Sequence, residues 1–118
     1  MWDDAVVAAR TSDAKHPRLN DHADDGALGL LRLVLRDYRK YGLVAQGEPR
    51  LDPQIVSEDS KRVVVRDCLD DEKWQIRKRD GSPPDVEQGT RERIDATVTL
   101  RDGAWVVTRL KIHEPATC

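Results

Sequence analysis

Acidic and histidine side chains between residues 13 and 25 are the first candidates for chemistry, as ligands of a metal ion. The segment Asp21-His22-Ala23-Asp24-Asp25-Gly26 has the acidic character of a calcium loop, which needs oxygen ligands at alternate positions and an acidic residue at the twelfth. An alanine stands at the third position and Arg32 at the twelfth, so the pattern fails. His16 and His22 lack the tight spacing of a zinc site. The sequence predicts a solvated loop that caps the next helix, with no metal and no cofactor.

Acid–base catalysis is the second kind of chemistry to consider, and it needs at least two convergent groups whose pKa values are pushed apart. Asp67 is the one carboxylate that strand periodicity directs inward, and we expect an Arg or backbone donors to satisfy it. Asp95 and His113 are out of phase with their apolar neighbours and are expected to meet solvent, while Asp70-Asp71-Glu72 is expected to be a charged turn. No Ser-His-Asp order, Cys-His pair or phosphate loop is present, so no catalytic residue is predicted.

The two cysteines, Cys68 and Cys118, are candidates for a disulfide. A cysteine at the end of a chain rarely has enough neighbours to be buried as a plain hydrophobic residue. A bridge is therefore favoured over the alternative of two unrelated buried thiols, and it would indicate an oxidising compartment.

Composition limits the classes of protein to which this chain can belong. Its 118 residues suit a single domain over residues 1–118. Twenty basic against 22 acidic residues give a net charge of −2, so general nucleic-acid binding is not expected. No apolar run approaches the roughly 20 residues that span a bilayer, so no transmembrane segment is predicted, and no signal-peptide leader is recognised.

Apolar spacing predicts two helices followed by strands. Trp2, Ala5, Val6 and Ala9 form one helical stripe, and residues 27–41 carry a broad apolar face that ends at Gly42. The chain from Gly42 to Pro53 is expected to be a connection. Strands are then predicted at 54–58, 62–69, 73–79, 90–101 and 104–113, with a loop through Gly89 and a hairpin turn at Asp102-Gly103. One core is expected to contain Leu31, Leu35, Val63, Val65, Leu100, Val106 and Leu110.

Helices that precede consecutive antiparallel strands define an α+β fold. Three stretches, at residues 41–49 (YGLVAQGEP), 63–70 (VVVRDCLD) and 114–118 (EPATC), resemble the nuclear transport factor two-like superfamily, and within it small secreted lipoprotein domains of high-GC Gram-positive bacteria. The resemblance implies N-terminal helices packed on a bent antiparallel sheet of four to five strands, a cone-shaped, cystatin-like architecture. It also implies a concave pocket and an extracytoplasmic, secreted or lipid-anchored protein, although the usual leader and lipid-anchoring cysteine are absent from these residues.

The resulting functional hypothesis is a non-catalytic binding or interaction domain whose partner is an unknown protein or small molecule, with a homodimer among the arrangements allowed. The alternative is a small enzyme or small-molecule carrier, ketosteroid-isomerase-like or polyketide-cyclase-like, and a cystatin-like inhibitor is a third interpretation. A filled cone favours interaction, whereas an open cone with a perturbed carboxylate favours an enzyme or carrier. The candidate pocket residues are Tyr38, Tyr41, Asp67, Trp74 and Trp105.

Overall fold

Two helices open the chain in the structure, a computed structural model that describes residues 1–85 and 89–118. Helix α1 spans Trp2–Ala9 and helix α2 spans Asp25–Lys40, with a short 3-10 helix at Pro17–Asn20 between them. Apolar residues at helical spacing bury one face of α2, where Leu31 and Leu35 are almost fully enclosed. Both predicted helices are confirmed. Neither is long and apolar enough to cross a membrane, and the described residues contain no other helix that is.

The described residues form six strands in two antiparallel sheets, which confirms the α+β class. The smaller sheet pairs β1 with β4, and the larger has the order β2-β3-β5-β6. The five predicted strands are present with ends shifted by two residues at most, and the predicted loop at 86–88 lies outside the described residues. The strands are β1 Leu43–Gly47, β2 Gln54–Glu58, β3 Arg62–Asp70, β4 Trp74–Lys78, β5 Arg91–Arg101 and β6 Ala104–Pro115.

Strand β1 is the element that the sequence did not predict, since this stretch was expected to be a connection. Its first three residues are all buried, so the alternation that marks a half-exposed strand is missing. Gly47 ends the strand with φ +90°, and a Cβ there would stand 1.9 Å from the carbonyl oxygen of Lys73. The glycine is therefore required by the close approach of β1 to the start of β4, and is not only a loop signal.

The core lies where the helices meet β1 and one end of the larger sheet. Ile94 of β5 and Leu69 of β3 are also buried, and they line one cavity together with Leu31 and Leu35 of α2. The expected single core is wrong in extent, because the remaining strand residues assigned to it are only half-buried. Strands β5 and β6 are 11 and 12 residues long and extend beyond the cover that the helices provide. The half-buried residues are Val63, Val65, Leu100, Val106 and Leu110, of which Leu110 packs against the core with Leu31 and Leu35 as expected.

The disulfide between Cys68 and Cys118 is confirmed, with Cα atoms 6.0 Å apart. To reach β3 from the end of β6, the last residues must cross β5, which lies between these two strands. Thr117 makes this crossing specific: its backbone N–H donates to the carbonyl of Arg91, and its hydroxyl accepts from the N–H of Arg93 at 2.8 Å. The C-terminal segment is thus held by hydrogen bonds as well as by the covalent link.

Candidate functional site

A cavity of about 300 Å³ lies between the two helices and the two sheets. Its wall is mainly apolar and includes residues from α1, α2, β1, β3, β4, β5 and β6. Ile112 is 40% exposed and Pro115 is also exposed, so these two residues mark where the cavity reaches the surface. The apolar lining consists of Trp2, Ala5, Ala9, Leu31, Val34, Leu35, Ala45, Leu69, Ile76, Ile94, Ile112 and Pro115.

Two carboxylates, Asp71 and Glu92, stand on the wall of this cavity and are linked by Thr90. The Thr90 backbone N–H donates to Asp71 at 2.7 Å, and its hydroxyl donates to Oε1 of Glu92. Burial raises the pKa of Glu92, and the nearby Asp71 raises it further, against the opposing effect of the Thr90 hydroxyl. The second carboxylate oxygen, Oε2, is buried and has no hydrogen-bond partner within residues 1–85 and 89–118.

Trp74 contributes a second polar atom without a partner. Its Nε1 is buried, and no acceptor for it is found in the described part of the chain. The ring is held by Trp2 of α1, which meets it edge to face with centroids 6.2 Å apart and planes at 81°. Trp2 and Trp74 both line the cavity. An indole N–H normally finds an acceptor when it is buried, so this one marks a place where a further group is expected.

Tyr38 of α2 adds a phenol to the same wall. Burial raises the pKa of Tyr38, and the negative charges of Asp71 and Glu92 raise it further. The phenol therefore stays neutral at physiological pH and retains a proton that it can donate.

His113 lies at the edge of the cavity and is tied to Asp95. Its Nε2 is 2.7 Å from Oδ2 of Asp95, and both side chains are about a quarter exposed, so they meet solvent only in part. Asp95 pairs with Lys111, and His113, two residues further along β6, therefore lies on the same face of the sheet as Asp95.

Of the candidate pocket residues, Tyr38 and Trp74 line the cavity and the other three do not. Tyr41 follows the end of α2 and is 66% exposed, with the Lys40 ammonium 5.5 Å from its ring centroid. Trp105 is 45% exposed because it lies beside the β5–β6 turn, beyond the helices. Asp67 is buried as expected, but it faces another part of the fold and accepts the backbone N–H of Asp52 at 2.7 Å.

Asp71 and Glu92 are the site residues that sequence reasoning missed. Glu92 is in phase with Ile94 and Ala96, so the alternation that identified the inner face of β5 also points to it. Asp71 gives no such signal, because it belongs to the turn after β3 and its position depends on Thr90. Among the described residues no three His, Cys, Asp or Glu side chains converge as metal ligands do.

The fold is similar to that of a solved structure, the crystal structure of the intermembrane-space region of the chloroplast protein ARC6. The match has a TM-score of 0.58 and 18% sequence identity, and it covers 94% of this chain and 86% of the ARC6 chain. No family model matches this chain, and no curated protein matches it in sequence. At this level of identity the likeness to ARC6 is one of fold alone.

Proposed function

We propose that this domain binds a small, mainly apolar molecule with a polar end inside the cavity. The observation that carries the proposal is the pair of buried, unpartnered polar atoms, Trp74 Nε1 and Glu92 Oε2, in two residues that line a mainly apolar cavity. Ligand sites in proteins combine an apolar surface with a few such groups that fix orientation.

The energetic cost of these two atoms supports a ligand-binding role over a purely structural one. A buried donor or acceptor without a partner costs about 1–3 kcal/mol. A domain whose only role was to present its outer surface would gain stability by filling this space with apolar side chains. An open cone with a perturbed carboxylate therefore favours the small-molecule alternative over a protein-interaction module.

The same proposal includes the fold family of the domain and the cellular compartment in which it works. We infer a nuclear transport factor two-like cone that works outside the cytoplasm, secreted or lipid-anchored. The disulfide supports an oxidising compartment, and the ARC6 region of similar fold comes from an intermembrane space. Helices placed on antiparallel strands with a cavity between them agree with the cone architecture.

Acid–base catalysis is the second candidate, and the raised pKa of Glu92 beside Asp71 is the observation in its favour. A carboxyl group with a raised pKa can act as a general acid, and a second carboxylate beside it can act as a general base. This candidate requires turnover of a bound molecule, which the binding experiment below detects as a change in the ligand's own spectrum.

The test is an NMR titration of the ¹⁵N-labelled domain with neutral, cationic and anionic molecules of about ten non-hydrogen atoms, the number that matches the cavity volume at roughly 30 Å³ each. Binding should shift amides of residues that line the cavity. Val34→Phe, which fills the cavity from α2, should abolish these shifts. Leu33→Phe is the matched control, because Leu33 neighbours Val34 but is 52% exposed. Saturable shifts that persist unchanged in Val34→Phe, or no shifts with any molecule, would refute the proposal.

A further inference from the structure

The charged groups on the cavity wall are all of one sign. Asp71 and Glu92 are carboxylates, and no Lys or Arg of the described chain lines the cavity. The two arginines next to Glu92 in β5 are engaged elsewhere: Arg91 lies 3.6 Å from Asp70 and Arg93 lies 3.0 Å from Asp95, and neither of these aspartates lines the cavity. His113 is directed to the same Asp95. The two cavity carboxylates therefore have no cationic partner among residues 1–85 and 89–118.

The aromatic residues of the wall favour a positive charge, as the carboxylates do. Trp2, Tyr38 and Trp74 all contribute to it, although aromatic residues are only 4% of the chain. The face of an aromatic ring carries negative electrostatic potential and attracts ammonium groups, most strongly where water is excluded. Carboxylates and aromatic faces that meet in one apolar cavity form a site for a positive charge.

We propose that the ligand is an organic ammonium ion that also carries an oxygen acceptor. This inference rests on the proposed ligand-binding function. The ammonium group lies against the Asp71–Glu92 pair and the aromatic faces, and the oxygen accepts the free N–H of Trp74. One molecule then gives the Trp74 N–H an acceptor and places a positive charge beside the carboxylates. An anionic ligand would meet two carboxylates, and a neutral one would leave their charges uncompensated.

The proposal makes binding dependent on pH. Burial and the neighbouring Asp71 favour the protonated form of Glu92 in the empty cavity, whereas a bound cation favours the ionised form. The other titratable groups around it are Tyr38 on α2, which stays neutral, and His113 on β6, which Asp95 holds. The affinity for a cation should therefore rise as pH increases through the pKa of Glu92, with release of a proton on binding below that point.

Two molecules of equal shape, one charged and one neutral, show whether binding depends on charge or on size. Acetylcholine carries a quaternary ammonium and an ester, and 3,3-dimethylbutyl acetate replaces the charged nitrogen by carbon with the ester unchanged. Both have about the size that the cavity admits. In titrations of the intact, disulfide-bonded chain at neutral pH, we expect acetylcholine to bind at least about tenfold more tightly than its neutral analogue. Equal or tighter binding of the neutral ester would overturn the cation assignment and leave the ligand-binding function standing.

Variants test whether the preference for a cation depends on the carboxylate of Glu92 in the cavity. Glu92→Gln should reduce acetylcholine affinity by about tenfold or more and leave the neutral ester unaffected. Glu72→Gln removes the same charge from an exposed residue of the turn before β4 and is the matched control. Folding of each variant is checked by its amide spectrum. Loss of affinity for both esters in Glu92→Gln would contradict the charge-based assignment. Failure of every molecule in the wider panel to bind would instead refute the proposed function itself.

Discussion

His113 Nε2 and Asp95 Oδ2 lie 2.7 Å apart across β5 and β6, next to the mouth of the cavity. Arg66 of β3 and Arg93 of β5 reach the same carboxylate at 3.1 and 3.0 Å. Three neighbouring strands therefore meet at one charged group. Burial alone would raise the pKa of Asp95, but the hydrogen bonds from His113, Arg66 and Arg93 outweigh it and lower the pKa to about 2.

Asp95 should stabilise the domain at neutral pH and cease to do so in acid. Because its folded pKa is below the ordinary value of 3.8, its contribution is present above pH 3.8 and is lost as pH falls towards about 2. Asp95→Asn should lower the free energy of unfolding by about 1 kcal/mol at neutral pH, a figure reduced for solvent screening. Urea unfolding across the acid range measures this. Asp102→Asn, on the exposed turn of the same hairpin, is the control, and an equal loss in both variants would contradict the assignment.

Glu92 should have the opposite dependence on pH. Since its folded pKa is above the ordinary value of 4.5, the domain loses stability as pH rises from 4.5 through the folded pKa. Glu92→Gln keeps an oxygen to accept the Thr90 hydroxyl and removes the buried charge. The variant should therefore show a weaker loss of stability with rising pH than the natural chain. Urea unfolding at several pH values tests this, and parallel curves for the two proteins would count against a buried Glu92.

The burial of α2 against the cavity can be tested with two neighbouring leucines. Leu35 is 4% exposed and Leu33 is 52% exposed on the same helix. Truncation of Leu35 to Ala should cost about 2–5 kcal/mol, as it does for buried leucines, and truncation of Leu33 should cost far less. Denaturant unfolding gives both values. Similar costs for the two truncations would show that α2 presents a different face to the core.

The disulfide should contribute a large share of the stability of the domain. It joins residues 50 positions apart, and on the chain-entropy interpretation closure of such a loop is worth about 4 kcal/mol. Replacement of Cys68 and Cys118 together by Ser should lower the free energy of unfolding by a corresponding amount and so lower the denaturation midpoint. A reductant should have the same effect on the natural chain. If reduction left the midpoint unchanged, the crossing of β5 by Thr117 would have to hold the terminus by itself.

Local patterns predicted the fold well where one face of an element is buried and the other is solvated. The α2 stripe and the β5 alternation have this property, and their bounds were predicted closely. Strand β1 lacks it, because its first residues are buried together. The pattern of the polar stretch between the helices did not indicate that Leu19 and Ser12 within it are fully buried, or that His22 reaches the buried Asp4 at 2.7 Å.

The candidate site was only partly accessible to sequence reasoning. Tyr38 and Trp74 were identified because aromatic residues on an inner face commonly line a cavity. Asp71 depends on a hydrogen bond to Thr90, nineteen residues along the chain, and no spacing rule indicates such a contact. His113 lines the cavity together with its neighbour Ile112, where an extra residue of β6 lies between Ile112 and Pro115. Contacts between distant segments and irregular pairing therefore account for what the sequence did not reveal.

The link between Cys68 and Cys118 also sets how the domain responds to a mechanical load applied at its two ends. Force on the C-terminus reaches Cys68 through the covalent bridge and bypasses β4, β5 and β6, which lie within the 50 bridged positions. The chain can then be extended only over the segment before Cys68. Breaking the bridge releases roughly 170 Å of additional contour length, at about 3.4 Å for each residue. A tether attached to the C-terminus therefore pulls on the middle of the larger sheet, and β5 and β6 carry no tension while the bridge is intact.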